Sequence, residues 1–164
     1  MSISSTTLLD ITGIQLPKDA CVVIVQTEWN ADNISRLREG CIRIFEQAQV
    51  HYEVITVPGA VEIPFAVKWH QTQVAASFTD KKVVAYIALG CVIKGDTPHF
   101  DYVCKSITEG VLQLNLQLPV PVIFGVLTVL NQQQIEERLG GVHGHKGEEA
   151  AITALKMAHL TNRK

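Results

Sequence analysis

The chain is expected to fold as a three-layer α/β/α sandwich around a four-stranded parallel sheet. Short strand-like runs begin at Ala20, His51, Val83 and Val120, and each is followed by a polar loop and then by apolar residues at helical spacing. The run from Val83 to Leu89 carries no charge, as a central strand covered on both faces requires. At 164 residues, 47% of them apolar and 18% charged, the chain has the length and composition for one domain with a sizeable core.

Residues 1–19 are polar, with a Ser/Thr cluster and Pro17, and read as an N-terminal arm outside the domain at 20–164. ACVVIVQ, from Ala20 to Gln26, is the first buried strand, and it ends in a loop at Thr27 to Asn30. Ile34, Leu37, Cys41, Ile44, Phe45 and Ala48 then recur with helical period, placing a helix from Ala31 to about Gln49. His51 to Val57 is the second strand; Pro58 and Gly59 end it, and a helix follows toward Val74 with Glu62 at its start.

Ser77 to Lys82 is a polar connection into the third strand, which Gly90 is expected to break. Thr97 is expected to cap the next helix, with Pro98 at its first position. Phe100, Val103, Cys104, Ile107, Val111, Leu114 and Leu118 give that helix its apolar stripe. VPVIFGVL, from Val120 to Leu127, is the fourth strand. Asn131 and Gln134 have capping-box spacing for a short helix from Gln132 to about Leu139, bearing Arg138. Gly140, Gly141 and Gly144 form a flexible turn before a last helix at about Gly147 to Leu160. The strand order expected is flavodoxin-like.

Several function classes are disfavoured. A net charge of −2 argues against a nucleic-acid binder, which would carry a basic face. No run is long enough to cross a membrane, and no secretory leader is evident. Cys21, Cys41, Cys91 and Cys104 form no C-x-x-C pair and read as buried free thiols of a reducing, cytoplasmic compartment. There is no G-x-G-x-x-G, no G-x-S-x-G and no phosphate-binding P-loop, so no nucleotide cofactor is called for. His143 and His145 flank a glycine without a metal-ligand pattern and read as surface loop residues, so no metal is assigned.

Chemistry concentrates where the third strand meets its helix. Ligands of open parallel sheets bind beyond the carboxyl ends of the strands, and a helix N-terminus offers N–H groups and positive potential to an anion. His99, in the first turn of such a helix, is a general acid/base candidate, so a small phosphate-bearing substrate is expected. Trp29 reads either as a core or interface residue or as a flat face for a heteroaromatic ring. Glu62 reads either as a helix-end carboxylate or as a ligand-binding group. An isolated Arg138 is a solvated charge or a helix-end complement.

The segment GCVIKGDTPHFD, from Gly90 to Asp101, resembles the G-x-V-I-[KR]-G-x-T-x-H-[FY]-[DE] signature of the lumazine synthase family. VPGAVEIPFA, from Val57, and PVIFGVLTVLNQQQIEERLGG through HKGEEAA agree in the same order, so the resemblance covers Ala20 to Ala158. It implies condensation of 5-amino-6-(D-ribitylamino)uracil with 3,4-dihydroxy-2-butanone 4-phosphate to 6,7-dimethyl-8-ribityllumazine in riboflavin biosynthesis, without a cofactor.

By the same resemblance, His99 is the acid/base, and Trp29, Asn30, Ala60, Val61, Glu62, Cys91, Val92, Ile93, Phe124 and Lys146 bind the pyrimidine and ribityl chain. Gly95, Asp96, Thr97 and Arg138 take the phosphate; Asp96 is a departure from the family's pattern, and because a carboxylate there would repel the anion, its backbone N–H is expected to face the phosphate. The resemblance also implies a site shared between adjacent subunits of a homopentamer. The short turn from Arg138 to Gly147 favours assembly of pentamers into a sixty-subunit shell, with riboflavin synthase as a further partner. A binding module that holds a flavin or lumazine without chemistry, and a container protein, stand as alternatives.

Overall fold

The computed structural model describes residues 9–77 and 81–162. Its main sheet contains β1 (Ala20–Thr27), β2 (His51–Val57), β3 (Lys82–Ile93) and β4 (Val122–Val129), all parallel, in the order β2-β1-β3-β4 of a flavodoxin-like sheet. The helices are α1 (Ala31–Ala48), α2 (Ile63–Ala76), α3 (His99–Gln117), the single turn α4 (Gln132–Glu136) and α5 (Lys146–Thr161). A short antiparallel ribbon, β5 (Leu139–Gly141) and β6 (Gly144–His145), precedes α5.

Side-chain alternation along the strands builds two cores. Val22 and Ile24 on β1, with Ile87 and Leu89 on β3, meet Leu37 and Phe45 of α1 and Ala151 and Leu155 of α5. Val23, Val25, Tyr86 and Ala88 point the other way, onto Ile63 and Val67 of α2 and Ile107 and Val111 of α3. Each Ile or Leu fully buried here contributes about 1.5–3 kcal/mol relative to exposure. Burial on both faces explains why β1 and β3 are almost wholly apolar. Ile11, Ile14 and Leu16 of the N-terminal segment pack against the first of these cores, whereas residues 1–8 of the expected arm, and 78–80 of the expected polar connection, lie outside the described residues.

On the α1–α5 side, two glycines let backbones approach. A Cβ on Gly147 would collide with the Leu37 carbonyl oxygen, and one on Gly40 with the His145 ring. The Cys41 thiol donates to the Gly147 carbonyl at 3.1 Å, and burial pushes it up to about 12.

Some local expectations are corrected. Gly90 does not break β3, which continues to Ile93 because Cys91, Val92 and Ile93 still pair with Leu127, Thr128 and Val129. Gly90 instead gives room: a Cβ there would lie 3.2 Å from a Val126 methyl and 3.7 Å from Ala60 Cβ. β4 starts and ends two residues later than expected. Thr97 is not the N-cap; α3 begins at His99 after Pro98, without a side-chain cap. The short helix stops at Glu136, so Arg138 lies on the turn after it, and the expected flexible turn is the β5–β6 ribbon, with positive φ at Gly140 and Gly144. His145 is no surface loop residue: it is half-buried, and its Nδ1 accepts the Glu148 N–H at the start of α5.

Candidate active site

Because the strands are parallel, their carboxyl ends share one rim, and three loops meet there. Glu28 N–H donates to Val57 O at 2.9 Å and Trp29 N–H to Pro58 O at 3.3 Å, so the first two loops continue side by side past β1 and β2. The Thr27 hydroxyl donates to the Trp29 carbonyl at 3.1 Å. With its backbone held, the Trp29 ring is still 74% exposed, which excludes the core reading.

Asn30 precedes α1 in the left-handed region, at φ 60° and ψ 42°. Its side-chain nitrogen donates to the Cys91 carbonyl at 2.8 Å, bridging the Trp29 loop to the end of β3. Beyond Gly59 the chain makes a single tight turn over Ala60–Glu62. A Cβ added to Gly59 would lie 3.0 Å from Glu62 Oε2 and 3.9 Å from Trp29 Cδ1, so carboxylate and indole border the same space. Ala60 sits above Gly90, and Val61 is exposed.

The third loop leaves β3 with Lys94 N–H donating to Val129 O at 2.9 Å. Gly95, Asp96, Thr97 and His99 are all exposed, at the N-terminus of the 19-residue α3. Val92 and Ile93 are half-buried and Cys91 is buried; burial pushes the Cys91 thiol up to about 11 and keeps it protonated at neutral pH. Cys91 is therefore not a thiolate nucleophile.

The remaining candidates lie apart. Phe124 is 40% exposed on β4, where it pairs with Ala88, three residues before Cys91 and five before Ile93, which places it about 10–17 Å along the strand from the rim residues of β3. It lines a groove of about 500 Å³ along the unpaired side of β4, together with Lys146, Glu149, Thr153 and Met157. Lys146 Nζ bonds both Glu149 carboxylate oxygens, at 2.9 and 2.8 Å. The Arg138 carbonyl accepts the Lys146 N–H at 2.9 Å, and its guanidinium donates to Gln134 O at 2.9 Å beside Glu137 Oε2 at 3.6 Å. One chain thus gathers Trp29, Asn30, Ala60, Val61, Glu62, Cys91, Val92, Ile93, Gly95, Asp96, Thr97 and His99 at the strand ends. Phe124 and Lys146 belong to the β4 groove, and Arg138 is joined to Lys146.

The Asn30–Cys91 bond and the pairing of Arg36 with Glu136 were not foreseen, since neither is local in sequence. The Lys146–Glu149 pair had a legible signal, its i,i+3 helical spacing. Among the described residues, no cluster of three or more His, Cys, Asp or Glu side chains is arranged to hold a metal, and no helix is long and apolar enough to cross a membrane.

Residues 19–162 match the family model for 6,7-dimethyl-8-ribityllumazine synthase. The chain belongs to that family. It is 41% identical to the 6,7-dimethyl-8-ribityllumazine synthase of Parabacteroides distasonis over 155 residues, 93% of this chain and 92% of the relative. It is 44% identical to that of Porphyromonas gingivalis over 154 residues, 92% and 91% of the two chains. With the enzyme of Flavobacterium johnsoniae identity is 44% over 155 residues, 92% of this chain and 77% of the relative. The lumazine synthase match includes both the rim and the β4 groove, and it makes the chain a member of an enzyme family of transferases.

Proposed function

We propose that this chain condenses 5-amino-6-(D-ribitylamino)uracil with 3,4-dihydroxy-2-butanone 4-phosphate, forming 6,7-dimethyl-8-ribityllumazine, phosphate and water. The observation that carries this reading is the shared rim, where an exposed indole and a carboxylate border one space at the strand ends, the end of the sheet from which β3 leads to His99 at the start of α3. The pyrimidine stacks on Trp29, with its edge along the backbone from Cys91 to Ile93. Glu62 takes ribityl hydroxyls, beside Ala60 and Val61, while the Asn30 amide is engaged with the Cys91 carbonyl. Gly95, Asp96 through its backbone, and Thr97 receive the phosphate, because free N–H groups and the dipole of a helix start attract an anion.

The 5-amino group attacks the ketone, and loss of water gives an imine. Phosphate then leaves by elimination, and attack of the ribitylamino nitrogen with loss of a second water closes the ring. His99 moves protons between these steps, while Arg138 and the loop N–H groups stabilise the charge gathering on phosphate. Imines form readily from amines and ketones, so holding both substrates in register supplies much of the acceleration.

Phe124, Lys146 and Arg138 complete this site from a neighbouring copy. The distance of Phe124 from its own chain's rim supports that division, as does the exposed apolar face of Phe65, Trp69 and Leu116 on α2 and α3. A rim meeting a groove is a contact between unlike patches, the kind that generates a ring where the rotation between copies closes. The assembly proposed is a homopentamer, built further into a sixty-subunit shell with riboflavin synthase as partner, in the cytoplasm.

The test is lumazine absorbance and phosphate release from the purified substrates, with light scattering for mass. Lumazine bound with no phosphate released would instead make the chain a binding module, and a mass near five chains would remove the shell.

A further inference from the structure

We infer that Asn30 is a positioning residue, whose side-chain amide holds the Trp29 ring at a fixed spacing from the end of β3. The inference deepens, and rests on, the proposed stacking of the pyrimidine against Trp29. An asparagine before a helix ordinarily earns its place by accepting a backbone N–H. Here no side-chain cap bond is made. A left-handed residue tolerates asparagine, but glycine adopts that conformation at lower cost. Neither property explains where the amide points.

It points at the Cys91 carbonyl, 2.8 Å away. Since a carbonyl oxygen only accepts, the group facing it must be the amide NH2, which fixes the orientation of the side chain. Pairing between β1 and β3 ends at Gln26 and Leu89, so Cys91 lies beyond the last β1 partner. The amide of Asn30 takes the place of the missing strand for a carbonyl whose residue is buried. Its own carbonyl accepts the Ile34 N–H at 3.0 Å, anchoring the other side of Asn30 to α1.

The consequence falls on recognition. A heteroaromatic ring bound between Trp29 and β3 must satisfy a stacking plane and an edge of hydrogen-bonding backbone together. Trp29 and Cys91 are 62 positions apart in the chain numbering, and a single side-chain bond from the residue after Trp29 fixes their relation. Without it, the backbone of Trp29 is still held by Pro58 and Thr27 on the β2 side, but the loop that carries the indole is released from β3.

The experiment compares Asn30→Gly, which keeps the backbone conformation and loses the amide, with Asn30→Asp, which keeps the shape and turns an acceptor toward Cys91. In a Trp69→Phe background Trp29 is the remaining one of two tryptophans, and its fluorescence anisotropy decay reads ring mobility without substrate. Both variants are expected to loosen the ring and raise KM for 5-amino-6-(D-ribitylamino)uracil about tenfold, with kcat and the other KM within about twofold. In a Trp29→Ala background the same substitutions should be silent. Unchanged mobility and KM in Asn30→Gly would reduce Asn30 to a left-handed backbone residue, and an undiminished KM rise without Trp29 would make it a direct substrate contact; either overturns the inference. If the wild-type chain turns over no substrate, the reaction proposed above falls, and ring mobility alone decides the clamp.

Discussion

Arg36 on α1 and Glu136 at the end of α4 are joined by two parallel hydrogen bonds of 2.8 and 2.7 Å. Arg36, followed by Gln132, holds the Glu136 carboxyl down at about 2, so the pair persists at neutral pH and is lost only as pH falls toward that value. Both side chains are substantially exposed, and the pair adds little to global stability. Its effect is on position, because Arg138 follows two residues after Glu136. Glu136→Gln should leave the melting temperature nearly unchanged and raise KM for the butanone phosphate by up to about tenfold. An equal rise for the pyrimidine substrate would show that the pair does not act through Arg138.

Arg138→Ala should raise KM for the butanone phosphate about tenfold to a hundredfold, the scale of a lost charge-assisted hydrogen bond. Arg138→Lys should recover only part of this, since an ammonium lacks the planar fork of the guanidinium. Steady-state kinetics with each substrate varied in turn makes the measurement.

His99→Ala should lower kcat about tenfold to a hundredfold, toward the low end of what proton transfer contributes, because imine formation needs little help. The two KM values should change little. A loss confined to KM would assign His99 to binding alone.

Gly147→Ala should destabilise the fold by about 2 kcal/mol or more, because the new Cβ would meet the Leu37 carbonyl oxygen, which belongs to a helical backbone and has little room to yield. Denaturant unfolding measures it. Gly95→Ala, where a Cβ would meet nothing within 4 Å, is the matched control.

Burial lowers the pKa of His145 from its usual 6.5, against the opposing pull of the Glu148 carboxylate and with further lowering by Arg43 and Arg36. The unfolded chain then takes up a proton more readily than the folded one, so stability should fall as pH drops below about 6.5 and the Glu148 N–H loses its acceptor at Nδ1. His145→Asn keeps an acceptor there without titrating. Melting temperatures between pH 7.5 and 5 should fall more steeply for the wild type than for this variant.

The strands and long helices were legible because their signals are local. The apolar alternation in ACVVIVQ and the stripe of Ile34, Leu37, Cys41 and Phe45 are written over a few turns of chain, and the same residues are buried. Boundaries were less legible where pairing decides them. Gly90 looks like a stop, yet β4 supplies partners as far as Val129 and the strand continues. The β5–β6 ribbon was hidden for a similar reason, since three glycines within five residues resemble a flexible turn until the pairing of Leu139 with His145 is seen.

The sequence by itself determined the layered parallel fold, the family and the loop that carries His99, since each depends on residue type at short spacing. Only the tertiary structure decided that Trp29 faces solvent beside Glu62, that the Asn30 amide is taken up by Cys91, and that Phe124 lies far from the rim. These are relations between segments tens of residues apart, set by strand order and register, and no local pattern in the chain encodes them.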